Sequence, residues 1–274
     1  MAVTKSWETA LPLRARERSA AVGRRAELAW LCLSSLLVAS GLALVYFAKT
    51  QDFPASDAAL RRGDLLNINQ TSSPGALLPF LSFFSDPGER EAAAEKLSGY
   101  LQSHRPFANA GALARIRVSQ SEIEGDPRWS LLRVQLRERL EKEKIHRGDL
   151  RIPLLPFSRW KPLVVVRTSR EYSAEYLRWC LISLAAFWMV HLVWRWRRFG
   201  GDPAILPALQ LLSGIGLILA VSLRDPLRDS LEFRKSAWGI ALGCCLLLLP
   251  VLRAFHYQHF SRWIYSPLLA AFGL

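Results

Sequence analysis

The stretch "LAWLCLSSLLVASGLALVYFA", residues 28–48, contains 21 residues and no charge. About 20 apolar residues suffice for an α-helix to cross the hydrocarbon core of a bilayer. The basic residues before it would also suit a signal peptide, but the run exceeds an ordinary signal-peptide core and no A-x-A pattern follows. The sequence therefore favours a membrane helix that stays in the protein. The preceding basic residues are Lys5, Arg14, Arg16, Arg18, Arg24 and Arg25.

Further uncharged runs follow this first one. The second covers residues 179–194, and the long side chains of Arg178 and Arg195 at its ends can reach the membrane surfaces. The last run begins after Arg262 and has only twelve residues, which are too few to span. We therefore predict a mainly α-helical, polytopic membrane protein with four spanning helices and a truncated fifth. The predicted helices are 28–48, 173–196, 203–223, 236–252 and the truncated 263–274.

The distribution of basic residues orients these helices. The formal net charge is +13, from 36 basic and 23 acidic residues. With the N-terminus inside, the short inside segments carry eleven basic residues and the short outside loop, 223–235, carries four. Because cytoplasmic loops are enriched in Lys and Arg, the tail 1–27 is predicted inside and residues 49–172 outside.

The predicted outside domain, residues 49–172, is polar, with 20 basic and 15 acidic residues. Apolar residues recur at helical spacing over 89–104, which predicts an amphipathic helix. Asp126-Pro127 is a helix start signal before 128–144, where Glu138 and Lys142 form an i,i+4 pair. Residues 161–169 are short and β-branched, which predicts a strand. The domain is therefore expected to be small and mostly helical.

Motifs for catalysis are scarce. The sequence has no P-loop, no dinucleotide-type glycine pattern, no H-E-x-x-H and no G-x-S-x-G. The four cysteines, Cys32, Cys180, Cys244 and Cys245, all lie in apolar runs, so no disulfide framework is indicated in the outside domain. We assign no catalytic, cofactor-binding or metal-binding residue and expect no cofactor.

Several histidines and glycines could in principle bind a metal or a phosphate, but structural roles explain them better. His191 lies in a membrane run near its basic end, where a hydrogen-bonded structural role is favoured over a functional one. His256 and His259 have a metal-ligand spacing, but no third ligand is visible. The glycines of "SGIG" (213–216) and "GIALG" (239–243) suit close helix packing better than phosphate binding.

Six carboxylates are the remaining candidates. Those of the domain lie beside a predicted helix start and are interpreted as caps. Those of the short loop alternate with arginines, so mutual ion pairing is expected. The two sets are Glu122, Glu124 and Asp126, and Asp225, Asp229 and Glu232.

From Gly201 the sequence runs through three segments, "GDPAILPALQLLSGIGLILAVSLRDPL", "FRKSAWGIALGCCLLLLPVL" and "HYQHFSRWIYSPLLAAFGL". These segments resemble the opening of the SEDS family, the FtsW, RodA and SpoVE proteins. They match a glycine-containing first helix, a short outside loop, an aromatic-basic start of the second helix, and a Pro that opens the third. Ser236 stands near the place of the family Gln. The matching residues are Gly214, Gly216, Phe233, Lys235, Trp238, Gly239, Tyr257, Arg262 and Pro267.

The resemblance implies a role in cell-wall synthesis in the bacterial cytoplasmic membrane. The family polymerises lipid II into glycan strands during division or elongation, usually beside a class B penicillin-binding transpeptidase. Its essential carboxylate lies in a large outside loop, past Leu274 in this numbering, so no residue here inherits that role. The chain is thus expected to be an N-terminal portion with the rest of the SEDS core as partner, and whether it is itself an enzyme stays open.

Residues 64–118 resemble the helix-hairpin-helix module of ComEA-like proteins, which grips DNA phosphates through two glycine hairpins. Here "FFSDPGER" replaces the first hairpin, and Arg117-Val118 stand at the second glycine. A scaffold for protein or envelope contacts, for docking or regulation, is therefore favoured over nucleic-acid binding. The alternative function is a membrane-anchored nucleic-acid-binding module of the DNA-uptake kind. The matching residues are Asn67, Ile68, Asn69, Thr71, Ser72, Leu77, Ala94, Leu97, Tyr100, Arg105, Pro106, Phe107 and Leu113.

Overall fold

The computed structural model describes residues 13–71, 73–143, 150–198, 202 and 204–252. This part of the chain is mainly helical, with few strands. It divides into two compact units. The first unit joins Met1–Ala43, Arg178–Ala220 and Phe233–Leu274, and the second joins Leu44–Leu177 and Val221–Glu232.

The described elements alternate long helices with short helices and short strands. The helices are α1 (Leu13–Thr50), α2 (Phe53–Arg62), α3 (Pro74–Leu77), α4 (Pro87–Ser103), α5 (Gln120–Gly125), α6 (Ser130–Glu143), α7 (Phe157–Trp160), α8 (Ser169–Trp196), α9 (Ile205–Ser222) and α10 (Glu232–Leu252). The strands are β1 (Leu66–Asn67), β2 (Arg117–Ser119), β3 (Arg151–Pro153) and β4 (Val164–Val165). Three 3-10 turns lie at Leu78–Leu81, Ala110–Arg115 and Lys161–Leu163.

Three helical stretches are long and apolar enough to cross a membrane, namely Ala26–Arg62, Ser169–Trp196 and Ile205–Ser222. The prediction of spanning helices is thus confirmed, by length and composition, for the first three runs. The fourth run lies in α10, which is helical but is not among these three, and the predicted fifth helix, 263–274, lies outside the described residues.

Gly214 allows close packing between two helices of the first unit. A Cβ atom on Gly214 of α9 would lie 2.3 Å from Cγ2 and 3.1 Å from Cβ of Val38 on α1. A separation of 2.3 Å is shorter than any van der Waals contact between carbon atoms, so a larger residue at this position would force Val38 or the helices to shift. By contrast, a Cβ on Gly216, Gly239 or Gly243 would meet nothing within 4 Å. The predicted packing role is therefore confirmed for Gly214, whereas the described residues offer no close neighbour to the "GIALG" glycines.

A polar cluster lies in the apolar interior of the first unit. The Gln210 side chain is buried on α9, donates to Ser35 Oγ over 2.8 Å and accepts from the hydroxyl of Ser34. Trp188 Nε1 on α8 also donates to Ser35 Oγ, over 3.2 Å. Hydrogen bonds between apolar helices satisfy polar side chains that cannot hydrogen-bond to water. The cluster therefore joins α1, α8 and α9 in a defined register.

The second unit has its own apolar core and two small sheets. Strand β1 pairs in parallel with β4, and β2 pairs antiparallel with β3. The predicted strand over 161–169 is shorter than expected, because a 3-10 turn occupies 161–163 and only Val164–Val165 form β4. Core side chains include Leu77, Leu81, Leu97, Leu101, Leu113, Ile123, Leu136, Ile152 and Trp160.

The predicted amphipathic helix is confirmed as α4. It starts two residues earlier than predicted, where Asp86 caps it by accepting from the Gly88 N–H. Its apolar side is buried, as expected for helical spacing, and includes Ala93, Leu97 and Leu101. The helix predicted after Asp126-Pro127 is confirmed as α6, which begins at Ser130.

Candidate functional site

Three segments of the second unit that lie far apart in sequence meet at Asn69. Its Nδ2 donates to the carbonyl of Val166 over 2.6 Å and to that of Phe107 over 2.9 Å. Its Oδ1 accepts from the Phe107 N–H over 2.8 Å. One side-chain amide thus satisfies backbone groups of two segments, at the residues directly before Ala108 and Arg167.

Arg167 extends from this junction to the loop that joins α9 to α10. Its Nη1 donates to the carbonyls of Asp229 over 2.6 Å and Pro226 over 2.7 Å. Its Nη2 donates to the carbonyl of Ala108 over 2.8 Å. The planar guanidinium offers five donors in a rigid arrangement, so a single side chain can hold carbonyls of two segments together.

Arg228 makes the reciprocal connection from the loop. Its Nε donates to the carbonyls of Lys161 and Val164, both over 3.1 Å, and its Nη2 donates to that of Pro162 over 3.0 Å. Its Nη1 lies 3.1 Å from a carboxylate oxygen of Asp225. We call Arg167, Arg228 and the carbonyls that they bind the arginine clasp.

Backbone hydrogen bonds reinforce the arginine clasp. The Ala110 N–H donates to the Arg228 carbonyl over 2.8 Å, and the Val166 N–H donates to the Leu227 carbonyl over 2.9 Å. The Leu227 side chain is buried. The loop is thus an integral part of the second unit, even though about forty residues separate it from the rest of that unit in sequence.

Burial sets the electrostatics of the clasp. Desolvation lowers the pKa of the Arg167 guanidinium below its ordinary value, and the carboxylates of Asp225 and Asp229 oppose this effect. Since a partly desolvated cation forms stronger hydrogen bonds than an exposed one, the carbonyls around Arg167 are held firmly. As defined, the clasp consists of two guanidinium groups and the backbone carbonyls that they bind, and neither kind of group is a nucleophile or a general base. The arrangement therefore suits holding or releasing the loop rather than catalysis.

The domain carboxylates named by the sequence have structural partners. Glu122 forms a capping box with Ser119 at the start of α5 and an ion pair with Lys96 of 2.5 Å, and this hydrogen bond chiefly lowers the Glu122 pKa. Glu124 accepts from Gln120 Nε2 over 2.8 Å. Glu122 thus helps to cap α5, whose N-cap is Ser119, and not the predicted helix after Asp126-Pro127.

Asp126 is not the cap of the helix that follows it. Its carboxylate accepts from the backbone and side chain of Arg128, which lowers the Asp126 pKa. The N-terminal amides of α6 are instead satisfied by Glu89, whose buried carboxylate accepts from the N–H groups of Leu131 and Leu132 over 3.2 and 3.0 Å. Periodicity could not reveal this cap, because Glu89 lies about forty residues away in sequence.

The loop carboxylates pair only partly as expected. Asp225 pairs with Arg228, as the alternating charges predict. Asp229 accepts from the Asp225 N–H over 3.1 Å and lies 3.9 Å from Lys161, outside the loop. Glu232 accepts from the Ser230 hydroxyl over 2.9 Å.

The helix-hairpin-helix resemblance places phosphate-binding hairpins at two positions, and the backbone there already has partners within the protein. At the first, the carboxylate of Asp86 accepts the Gly88 N–H over 2.9 Å, and an anion there repels a phosphate. At the second, Arg117 and Val118 lie in β2 and pair with β3. Both observations weigh against phosphate gripping by the helix-hairpin-helix mode. Ser72, one of the residues of that resemblance, lies outside the described residues.

His191 has a partner that the sequence did not reveal. Its Nδ1 lies 3.0 Å from a carboxylate oxygen of Glu27, and both side chains are largely buried. The expected hydrogen-bonded role of His191 is thus confirmed. His256 and His259 lie outside the described residues. The described cysteines are unbridged, and the described chain has no group of three or more His, Cys, Asp or Glu that could hold a metal ion.

Sequence reasoning did not single out Arg167. The signal that could have found it is an arginine directly after three valines, since a charge that ends a buried strand needs partners. Comparisons with protein-family models, with curated proteins and with solved structures find no match for this chain.

Proposed function

We propose that this protein is a multi-pass component of the bacterial cytoplasmic membrane that takes part in peptidoglycan glycan-strand polymerisation from lipid II. In this proposal it resembles the opening of a SEDS protein, and its outside domain regulates the membrane core or docks a partner. The observation that carries the proposal is the arginine clasp. It connects that domain to the loop between α9 and α10, the two helices that carry the SEDS-like residues.

The clasp also supports the proposed topology. Residues 49–172 and the loop 223–231 hydrogen-bond to each other, so both belong on one side of a bilayer. This agrees with the basic-residue count, by which both segments are outside and the N-terminus is inside. Together with the three spanning candidates, α10 then serves as a fourth span that returns the chain to the inside.

Apolar surface on the long helices supports membrane embedding. Leu36, Leu44, Leu212 and Leu246 are all more than half exposed. Soluble proteins rarely expose apolar surface so extensively, whereas lipid tails stabilise it. The buried Gln210 cluster and the His191–Glu27 pair keep polar groups away from that surface.

The SEDS-like residues occupy consistent places in the described helices. Gly214 lies at the tight contact of α9 with α1, and Phe233 and Trp238 lie in the first turns of α10. Phe233 is buried. Among the described matching glycines, a Cβ on Gly216 or Gly239 would meet nothing within 4 Å, so the close contact concerns Gly214. Tyr257, Arg262 and Pro267 lie outside the described residues.

In this proposal the outside domain acts through the clasp. A transpeptidase of the class B penicillin-binding type would dock on this domain, and lipid II would be bound by the membrane core. Because Arg167 and Arg228 bind carbonyls reciprocally, release of one arginine weakens the hold of the other. The clasp can thus transmit a change in the domain to α9 and α10.

Depletion of the protein in the cell that encodes it tests this proposal. Membranes from depleted cells should polymerise less labelled lipid II than membranes from normal cells. Restoring the wild-type chain or Arg137→Ala, which removes an exposed charge on α6, should return synthesis, and Arg167→Ala should return less. Unchanged synthesis after depletion would refute the function. Full rescue by Arg167→Ala would refute only the role of the clasp.

The DNA-uptake alternative predicts a different result. Since both hairpin positions are occupied, we expect the solubilised full chain to bind duplex DNA weakly, through its net positive charge alone. Such binding should collapse between about 50 and 200 mM salt. Tight binding that persists at the higher salt would favour the alternative.

A further inference from the structure

Two tryptophans and two arginines meet where the uncharged runs of α8 and α10 begin. The rings of Trp179 and Trp238 have their centroids 5.6 Å apart. The guanidinium carbon of Arg178 lies 5.6 Å from the Trp179 ring centroid, and that of Arg234 lies 5.9 Å from the same centroid. We call these four side chains the indole–arginine cluster. All four belong to the first unit.

The charge in this cluster is concentrated. Two guanidinium groups from different helices approach one indole, and the charge of Lys235 follows Arg234 directly in sequence. Each guanidinium lies within about 6 Å of the Trp179 ring centroid, which is close enough for a cation–π contact. The cluster therefore brings positive charge from two helices together at one indole.

The position of the cluster along the helices suits a lipid headgroup. Arg178 immediately precedes the run 179–194, and Arg234 and Lys235 immediately precede the run 236–252. In a membrane helix, Trp and Arg at the end of an apolar run lie at the level of the headgroups. The cluster would therefore lie at the depth where lipid phosphate groups are concentrated.

The exposure of the cluster leaves room for such a headgroup. Trp179 is only 5% exposed and forms the floor, whereas Trp238 is 61% exposed. Arg178 and Arg234 are both exposed. An exposed indole provides apolar surface for the glycerol and acyl carbons, and guanidinium groups donate two parallel hydrogen bonds to a phosphate.

We propose that the indole–arginine cluster binds the phosphate-bearing headgroup of an anionic phospholipid. This proposal rests on the membrane embedding proposed above and is independent of the role in cell-wall synthesis. Simple anchoring by interfacial Trp and Arg would hold the helices at the same depth but would not discriminate between headgroups.

Lipid selectivity of the purified full chain tests the proposal. The chain is reconstituted in phosphatidylcholine vesicles with or without about one fifth phosphatidylglycerol, and bound lipid is counted by native mass spectrometry. Phosphatidylglycerol should be retained preferentially. Arg178→Gln and Arg234→Gln should each reduce this preference about tenfold, the effect of losing one hydrogen bond between a guanidinium and the lipid phosphate. Arg224→Gln removes the same charge from the loop after α9 and should leave the preference unchanged.

Each other outcome contradicts a specific part of the proposal. An equal loss in Arg224→Gln would show general charge attraction and overturn the site. Binding of inorganic phosphate that displaces the lipid at millimolar concentration would overturn the assignment to a lipid. If the chain does not float with vesicles of either composition, the membrane embedding is wrong, whereas flotation without headgroup selectivity overturns the lipid site alone.

Discussion

Replacing Arg167 with alanine removes the central side chain of the arginine clasp. Arg167 donates three hydrogen bonds, to the carbonyls of Ala108, Pro226 and Asp229. Hydrogen bonds from a charged group contribute about 1.5–3 kcal/mol each. Because the freed carbonyls regain water in part, we take roughly half of the lower total, about 2 kcal/mol. That free energy corresponds to a roughly 30-fold increase in opening of the loop.

Hydrogen exchange measures this opening directly. The Ala110 and Val166 N–H groups donate to loop carbonyls, so their exchange reports release of the loop. In Arg167→Ala both amides should exchange about 30-fold faster, whereas the Leu97 amide in the core of α4 should change little. Arg167→Lys should fall between, because a lysine keeps the charge but lacks the rigid planar donors.

Two results would refute this reasoning. If Ala110 and Val166 exchange at the wild-type rate in Arg167→Ala, the guanidinium does not hold the loop. If the Leu97 amide accelerates by the same factor, the substitution destabilises the whole unit and the clasp is not a separate element. Arg137→Ala on α6 serves as the control for loss of an exposed arginine.

Three further predictions follow from contacts and topology. Gly214→Ala should destabilise the protein by about 1–3 kcal/mol in a thermal or denaturant unfolding series, because its Cβ would overlap Val38, whereas Gly216→Ala should be nearly neutral; equal effects would contradict the close contact. Because the pKa of Glu122 is lower in the folded protein than its ordinary value of 4.5, the ion pair with Lys96 stabilises the fold fully at pH values above 4.5. This stabilisation is lost as the pH falls through the lowered pKa of the folded protein. The thermal midpoint of the wild type should therefore exceed that of Glu122→Gln at pH 7 and approach it in acid, and a difference that persists in acid would contradict this. A cysteine at Ser121, which is exposed, should react with an impermeant thiol reagent in intact cells, and labelling only after lysis would contradict the proposed topology.

Local sequence was enough to predict the long apolar helices. A long uncharged run in a membrane forms a helix because all its backbone hydrogen bonds close within the segment, so the helices that contain 28–48 and 179–194 could be predicted without knowledge of the fold. The same holds for α4, whose buried side follows from residues three and four apart. The capping box at Glu122 is also local, since its partners are three residues apart.

Only the tertiary structure decided which segments meet. Arg167 and the loop carbonyls of Pro226 and Asp229 are about sixty residues apart, and Glu89 caps α6 from about forty residues away. The glycine motifs show the same distinction, since Gly214 contacts Val38 whereas Gly239 meets no neighbour. Periodicity and capping rules concern residues that are close in sequence, so they do not predict contacts between residues that are far apart in sequence. The long apolar helices of this protein could therefore be predicted from its sequence, whereas its arginine clasp depends on contacts that form only when the chain has folded.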